Sequence, residues 1–420
     1  MLRLWVDRAW LVLKFLATHP WLLFTVLWCG FRDNLRIWWC RRGRRVWLLS
    51  LEESVYLPFI QEALQQIPEA NWNQIMLVVA CRPFATADVQ RQIRLLGVTC
   101  EFVISNWTCA AILHYDLFLT THQSAVPPLW KCGERVCSFH GLPAKGGTFV
   151  ESQWRFLDGA FLIGPLQQRM FEEFQRESLT GSRLWGREIG LIKSDRLLQG
   201  TIQRDDVLHQ LGLSSKTPTV LYAPSWEEGT SLRVSGLPIC ETLCESPWNV
   251  IVKLHPMSYF PVHETQATGG VDWSAELGRF ESMPRFRHPQ RCDVTPLVCA
   301  ADVVVTDVSS VAFEAILIDR PVIFIDCPEF FEGTVQRMYR LSPQQARSDL
   351  RFNCGRKGGV VIRSINELHD AIQEAIDSPG RLAKSREEIR DQLVFNRGFA
   401  SQAAAKAIVE LLDLPWHGES

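Results

Sequence analysis

The chain has 420 residues, enough for two domains of ordinary size, each with its own core. Hydrophobic residues make up 47% and charged residues 21%, and the formal net charge is -2, so the composition is globular and lends no overall affinity for nucleic acid. The 13 cysteines are scattered without a CxxC pair, which argues against a zinc ribbon or a disulfide framework and for buried thiols in a reducing compartment.

The average charge hides an asymmetry at the N-terminus. Residues 1–45 carry nine Arg or Lys against Asp7 and Asp33, a net +7, which leaves -9 for the rest, and seven of the 16 Trp fall within the first 47 residues. Amphipathic rings and cations beside apolar stretches are what a membrane interface selects. Lys14, His19 and Pro20 interrupt the stretch 10–31, so helices lying in the interface are expected over 1–45. A single span and a buried helical pair are the alternatives; all three leave the bulk of the chain on the cytoplasmic face of the membrane.

From Arg45 onward apolar runs alternate with amphipathic stretches. Runs at Val46–Ser50, Ile75–Ala80, Val98–Ser105, Leu117–Thr121, Arg135–Phe139 and Ala160–Gly164 read as strands, with helical patterns at Val55–Gln66 and Ala87–Leu96. A second series follows at Thr219–Ala223, Val250–Leu254, Val303–Thr306, Val322–Ile325 and Val360–Ile362. Strands apolar throughout and separated by helices argue for parallel sheets covered on both faces. The expected organisation is a membrane-interface segment over 1–45, a Rossmann-like domain over 46–180, a linker over 181–216, a second Rossmann-like domain over 217–390 and a C-terminal helix over 391–420.

Three strand ends carry polar chemistry. RVCSFHGLPAKGG places His140 after an apolar run, followed by Gly141, Lys145 and two further glycines. NVIVKLHP ends abruptly in Lys253, His255 and Pro256; proline cannot continue the ladder and biases His255 towards extended backbone. ADVVVTDVSSVAFEAILIDRPVIFID reads as strand, turn, helix and strand, with Asp307, Ser309 and Ser310 in the turn and Glu314 one helical turn on. In open parallel sheets ligands bind beyond the carboxyl ends of the strands. Serines at such a turn cap the helix, bind an anion, or both. Neither a Walker loop nor a GxGxxG fingerprint occurs.

Taken in order, HGLPAKGG, LYAPSWEEG, KLHP and TDVSSVAFEAILIDRPVIF resemble the CDP-glycerol glycerophosphotransferases of teichoic-acid and capsule synthesis, over roughly His140 to Asp326. The resemblance implies a GT-B-like pair of Rossmann-like domains and attack by an acceptor hydroxyl on the β-phosphate of a CDP-linked alditol, releasing CMP. The acceptor would be a polymer or a lipid-linked primer. On this reading His140 is the base, and His255 with Lys253 binds the diphosphate. Ser309, Ser310 and Ser225 hold phosphate or nucleotide, and Gly141 and Lys145 face the acceptor. Asp307 is either an N-cap or the holder of Mg²⁺, the one candidate cofactor, and Glu314 reaches a ribose. The chain departs from the pattern at Leu142, where HGTP is usual, and at Val308, where TDYSS is usual. A glycosyltransferase using a CMP- or UDP-sugar and a nucleotide-sugar epimerase are the alternatives.

Overall fold

A computed structural model describes residues 20–105, 113–123, 125, 130–141, 149, 151–290, 292–339 and 341–418. Lys145 and residues 1–19 lie outside these. The first domain is a seven-stranded parallel sheet of β1 (Arg45–Glu52), β2 (Ile75–Cys81), β3 (Phe102–Ser105), β4 (Leu117–Thr120), β5 (Glu134–Cys137), β6 (Gly159–Leu162) and β7 (Trp185–Glu188), in the order β3-β2-β1-β4-β5-β6-β7. The second is a six-stranded parallel sheet of β8 (Thr219–Tyr222), β9 (Asn249–Val252), β10 (Phe286–Arg287), β11 (Val303–Thr306), β12 (Val322–Ile325) and β13 (Val360–Ile362), in the order β10-β9-β8-β11-β12-β13. Both are doubly wound, and each reverses winding direction beside its first strand, between β1 and β4 and between β8 and β11.

The strands form because their side chains are buried on both faces. Alternate residues of β1 feed two cores, Val46 and Leu48 on one side and Trp47 and Leu49 on the other. The first of these cores is continuous with the second domain, since Val78 and Cys137 belong to the same buried cluster as Leu221 and Val304.

Two expectations need correction here. The segment 181–216 is not linker throughout, because β7 closes the edge of the first sheet. Its alternation of half-buried and exposed residues marks an edge strand with one covered face, not the all-apolar pattern sought. The two-residue β10 was also not anticipated.

Among the described residues the helix α1 (Pro20–Arg41) leads into β1. Ile37 and Asp33 are buried against the first domain, and Asn34 Oδ1 accepts from the His114 backbone N–H at 3.0 Å. Among the described residues no helix is long and apolar enough to cross a membrane.

The chain ends in two helices, α2 (Ala383–Leu393) and α3 (Ala400–Leu411), separated by a bend containing Gly398. The backbone returns to the first domain through Phe395 N–H to Ile163 O, 2.8 Å. Asp195 then caps α3, its carboxylate accepting from the backbone of Ala400 and Ser401 and from Ser401 Oγ. Ala404, Ile408 and Val409 complete the outer core of the first sheet.

Candidate functional site

The carboxyl end of the second sheet is organised by Asp307. This side chain follows β11 and is almost wholly buried. Its Oδ1 accepts from the backbone N–H groups of Ser225 (2.9 Å) and Val308 (2.6 Å). Its Oδ2 accepts from Ser231 N–H (3.0 Å) and Ser231 Oγ (2.7 Å). The expectation that Asp307 caps its own helix or holds Mg²⁺ is therefore corrected. It is a strut across the switch point, tying the loop after β8 and the start of the helix Ser231–Cys244 to the end of β11, and both oxygens are already engaged. Among the described residues no group of three or more His, Cys, Asp or Glu side chains could hold a metal.

The strut leaves several polar groups at the same strand ends. Ser225 is buried, and among the described residues its Oγ has no hydrogen-bond partner, although the rest of the residue is fixed by Asp307 and by Thr230 Oγ1 donating to its carbonyl. A buried hydroxyl without a partner is costly, and a ligand acceptor or donor would satisfy it. Ser309 and Ser310 are half-buried at the start of the helix Val311–Leu317; Ser310 caps with its backbone only, and its side chain makes no capping bond. Gly229, at φ +79, allows the loop to press against the backbone of Phe330, where a Cβ would stand 2.5 Å from the Phe330 nitrogen.

His255 stands exposed beyond β9, two strands from β11. Its Nδ1 accepts from Met257 N–H at 3.2 Å, which places the proton of the neutral ring on Nε2. Trp226, from the loop after β8, lies 6.0 Å away between ring centres. Lys253 does not share that exposure. Its ammonium is buried and donates to the carbonyls of Leu254 (2.9 Å) and Gln290 (3.2 Å), so it braces the loop from behind instead of facing a diphosphate. The alternation of apolar and polar residues implied that the two side chains share one face, but β9 ends at Val252, and Lys253 packs inward while His255 is exposed.

His140 enters from the first domain, half-buried after β5. The preceding Phe139 holds φ +59, an unusual backbone for a bulky residue, kept there by packing on Trp154 and Phe149. Nδ1 of His140 donates to Thr121 O at 3.0 Å, leaving the lone pair of the neutral ring on Nε2. The ring stacks on His122, with centres 4.7 Å apart and planes 7° from parallel, and meets Tyr56 edge-on. Burial first, then the neighbouring His122, pushes its pKa down to about 4. Gly141 follows at φ +153 and brings the two domains together: a Cβ built on it would lie 3.8 Å from Ser310 Oγ.

Glu314 is not a ribose ligand in this arrangement. It is buried, with Oε1 2.8 Å from Lys193 Nζ and Oε2 accepting from Thr295 Oγ1 at 2.7 Å. Sequence reasoning missed Lys193, Thr295 and His122. His122 carries the one signal that could have found it, a strand-end His beyond β4.

The structure thus brings Gly141, next to His140, to Ser310, and Ser225 to Asp307, while Lys253 and Glu314 turn inward. Two doubly wound parallel-sheet domains are consistent with a GT-B-like fold. Residues 186–332, about a third of the chain, match the model of the family CDP-glycerol:poly(glycerophosphate) glycerophosphotransferase, and over that stretch the chain is similar to these enzymes. Among solved structures it is similar to a variant of the wall teichoic acid polymerase TagF, with TM-score 0.60 and 14% identity over 89% of this chain and 90% of that one. A putative UDP-N-acetylglucosamine 2-epimerase from Listeria monocytogenes gives TM-score 0.54 and 13% identity over 90% and 99%. MnaA of S. aureus, solved with UDP, gives 0.53 and 12% over the same shares. At these identities the likeness is one of fold. No curated protein sequence matches the chain.

Proposed function

We propose that the protein transfers a glycerol-phosphate, or a related alditol-phosphate, from a CDP-linked donor to a cell-envelope polymer or lipid-linked primer at a membrane surface. The acceptor oxygen attacks the β-phosphorus; the new P–O bond forms as the bond to the bridging oxygen breaks, and CMP departs with that oxygen. The hydroxyl proton passes to Nε2 of His140, and Nε2–H of His255 donates to the phosphate of the departing CMP. Ser309, Ser310 and Ser225 hold the diphosphate and nucleotide through hydroxyls and backbone N–H groups. Lys145 meets the acceptor on this reading, and Lys253 and Glu314 support loops instead of touching the donor.

The observation that carries the reading is the pair of Nδ1 hydrogen bonds: in neutral rings, donation to Thr121 O leaves Nε2 of His140 a lone pair, and acceptance from Met257 N–H leaves Nε2 of His255 its proton. The family match supports the donor class, and the TagF structures include crystals soaked with CDPG. Membrane attachment draws on α1, whose exposed residues Trp28, Phe31, Leu35, Trp38 and Trp39 recur at helical spacing.

The test offers purified protein CDP-glycerol, CDP-ribitol, CMP-sialate and UDP-sugars with membrane extract as acceptor. Release of CMP from a CDP-alditol is expected; products from a UDP- or CMP-sugar would replace this reading with a glycosyltransferase or epimerase. His140→Ala and His255→Ala should each lower turnover about a hundredfold. Near-normal turnover in either variant removes that residue from the scheme.

A further inference from the structure

Lys193 has no part in this scheme, yet its ammonium is buried where the two domains meet. It lies in the short turn Ile192–Ser194 that follows β7 on the way to the second domain. Its Nζ is 2.8 Å from Glu314 Oε1 and 3.4 Å from Asp293 Oδ1, both in the second domain. Thr295 Oγ1 fixes the other oxygen of Glu314, so that carboxylate is held at both ends. On its opposite side the ammonium lies 4.6 Å from the centre of the Phe59 ring, and that ring meets the His140 imidazole edge-on at 6.1 Å.

These contacts close a loop. Glu314 belongs to the helix that starts just after Ser310, and Gly141, beside His140, faces Ser310 Oγ. We infer that Lys193 is the positioning residue that sets the His140 imidazole opposite the Ser309–Ser310 turn, by locking the Val311–Leu317 helix of one domain to the aromatic wall behind His140 in the other. A buried, hydrogen-bonded cation suits this task because its attraction to two carboxylates in a low-dielectric setting weakens steeply with displacement. Lys193 touches no reacting atom; it acts through Phe59 and Glu314.

His140 is faced by Thr121 and His122 after β4, by Tyr56 and Phe59 after β1, and by Lys193, with Glu52 and Arg82 standing behind His122 and Tyr56. The Lys193 cation lowers the His140 pKa, so its removal moves the imidazole titration upward. A lysine that only stabilised the domain junction, without holding its charge against the wall behind His140, would leave that titration in place.

The inference rests on the proposed reaction only for its kinetic arm. Lys193→Met, Lys193→Arg and the double variant K193M/E314Q, which also removes one stranded carboxylate should K193M fail to fold, are compared with wild type by melting curve, by NMR titration of His140 (assigned against H140Q) and by CMP release. In folded K193M or the double variant the His140 resonance should titrate at higher pH than in wild type. Turnover should fall about tenfold or more, with KM for CDP-glycerol changed less than about threefold. Lys193→Arg should restore most of the turnover and the wild-type titration. An unmoved titration in a folded cation-less variant overturns the inference, as does wild-type turnover in that variant. A moved titration in a protein whose wild type releases CMP from no donor overturns the proposed reaction and leaves the inference standing.

Discussion

His140 and His255 were legible in the sequence because each stands where an apolar run stops, next to a residue that breaks the strand: Gly141 in one case and Pro256 in the other. Their proton patterns were not legible, because a carbonyl on a neighbouring strand end sets one and a backbone N–H two residues on sets the other. Lys193 left no comparable trace, since the Asp293 that pairs with it is 100 residues away in the chain, and His122 left only its place at a strand end, with no strand-breaking residue beside it. The low pKa of His140, about 4 against an ordinary 6.5, has a kinetic consequence. Below its pKa the ring is an imidazolium and cannot take the acceptor's proton, so the rate falls as pH falls through that value. The acid limb of kcat/KM, which reports the free enzyme, should therefore lie near pH 4. Bound diphosphate adds negative charge that favours the imidazolium, so the acid limb of kcat should lie at higher pH than that of kcat/KM. Initial-rate profiles in both parameters check this; a kcat limb at or below the kcat/KM limb would exclude His140 as the base.

The sheets show which elements a sequence can announce. Strands buried on both faces, such as β2 and β11, stood out as continuous apolar runs. The edge strand β7 and the two-residue β10 did not, since one has an exposed face and the other is too short for any period. The turn after β11 was visible as a site, but the part played by Asp307 was not, because its partners come from the loop and helix after β8. Four donors converge on this buried carboxylate, so Asp307→Ala should leave the backbone N–H groups of Ser225 and Ser231 without partners. The expected loss is about 3 kcal/mol of stability, measured as a lowered urea midpoint at unchanged m-value. Asp307→Asn should also destabilise, because its amide N–H₂ would face donors. A wild-type midpoint in both variants would mean that the loops after β8 and β11 are held together by something other than this strut.

At the scale of the whole molecule, two Rossmann-like sheets share one continuous inner core, and α3 returns from the second domain to seal the first. That closure leaves the outside of α1 uncovered. Trp28, Phe31, Leu35, Trp38 and Trp39 are each 46% exposed or more, whereas Asp33 and Ile37 on the opposite side are buried. Arg32 and Arg36 flank the aromatic stripe with side chains about half exposed, and Arg42 follows it. Indole and phenyl rings beside guanidinium groups match the boundary between acyl chains and anionic headgroups. At 22 residues the helix is about 33 Å long, and among the described residues no helix is long and apolar enough to cross a membrane; the proposed attachment therefore draws on this aromatic face. The variant W28Q/F31Q/W38Q/W39Q should thus lose co-sedimentation with vesicles containing anionic lipid while keeping the wild-type melting curve and its turnover of CDP-glycerol with a soluble acceptor. Replacing Arg32, Arg36 and Arg42 with Gln should weaken binding to anionic vesicles and leave the weaker binding to zwitterionic ones unchanged, since the cations contribute only through the surface potential. Undiminished sedimentation of both variants would place the membrane contact elsewhere on the molecule, and the aromatic face of α1 would then need a protein partner.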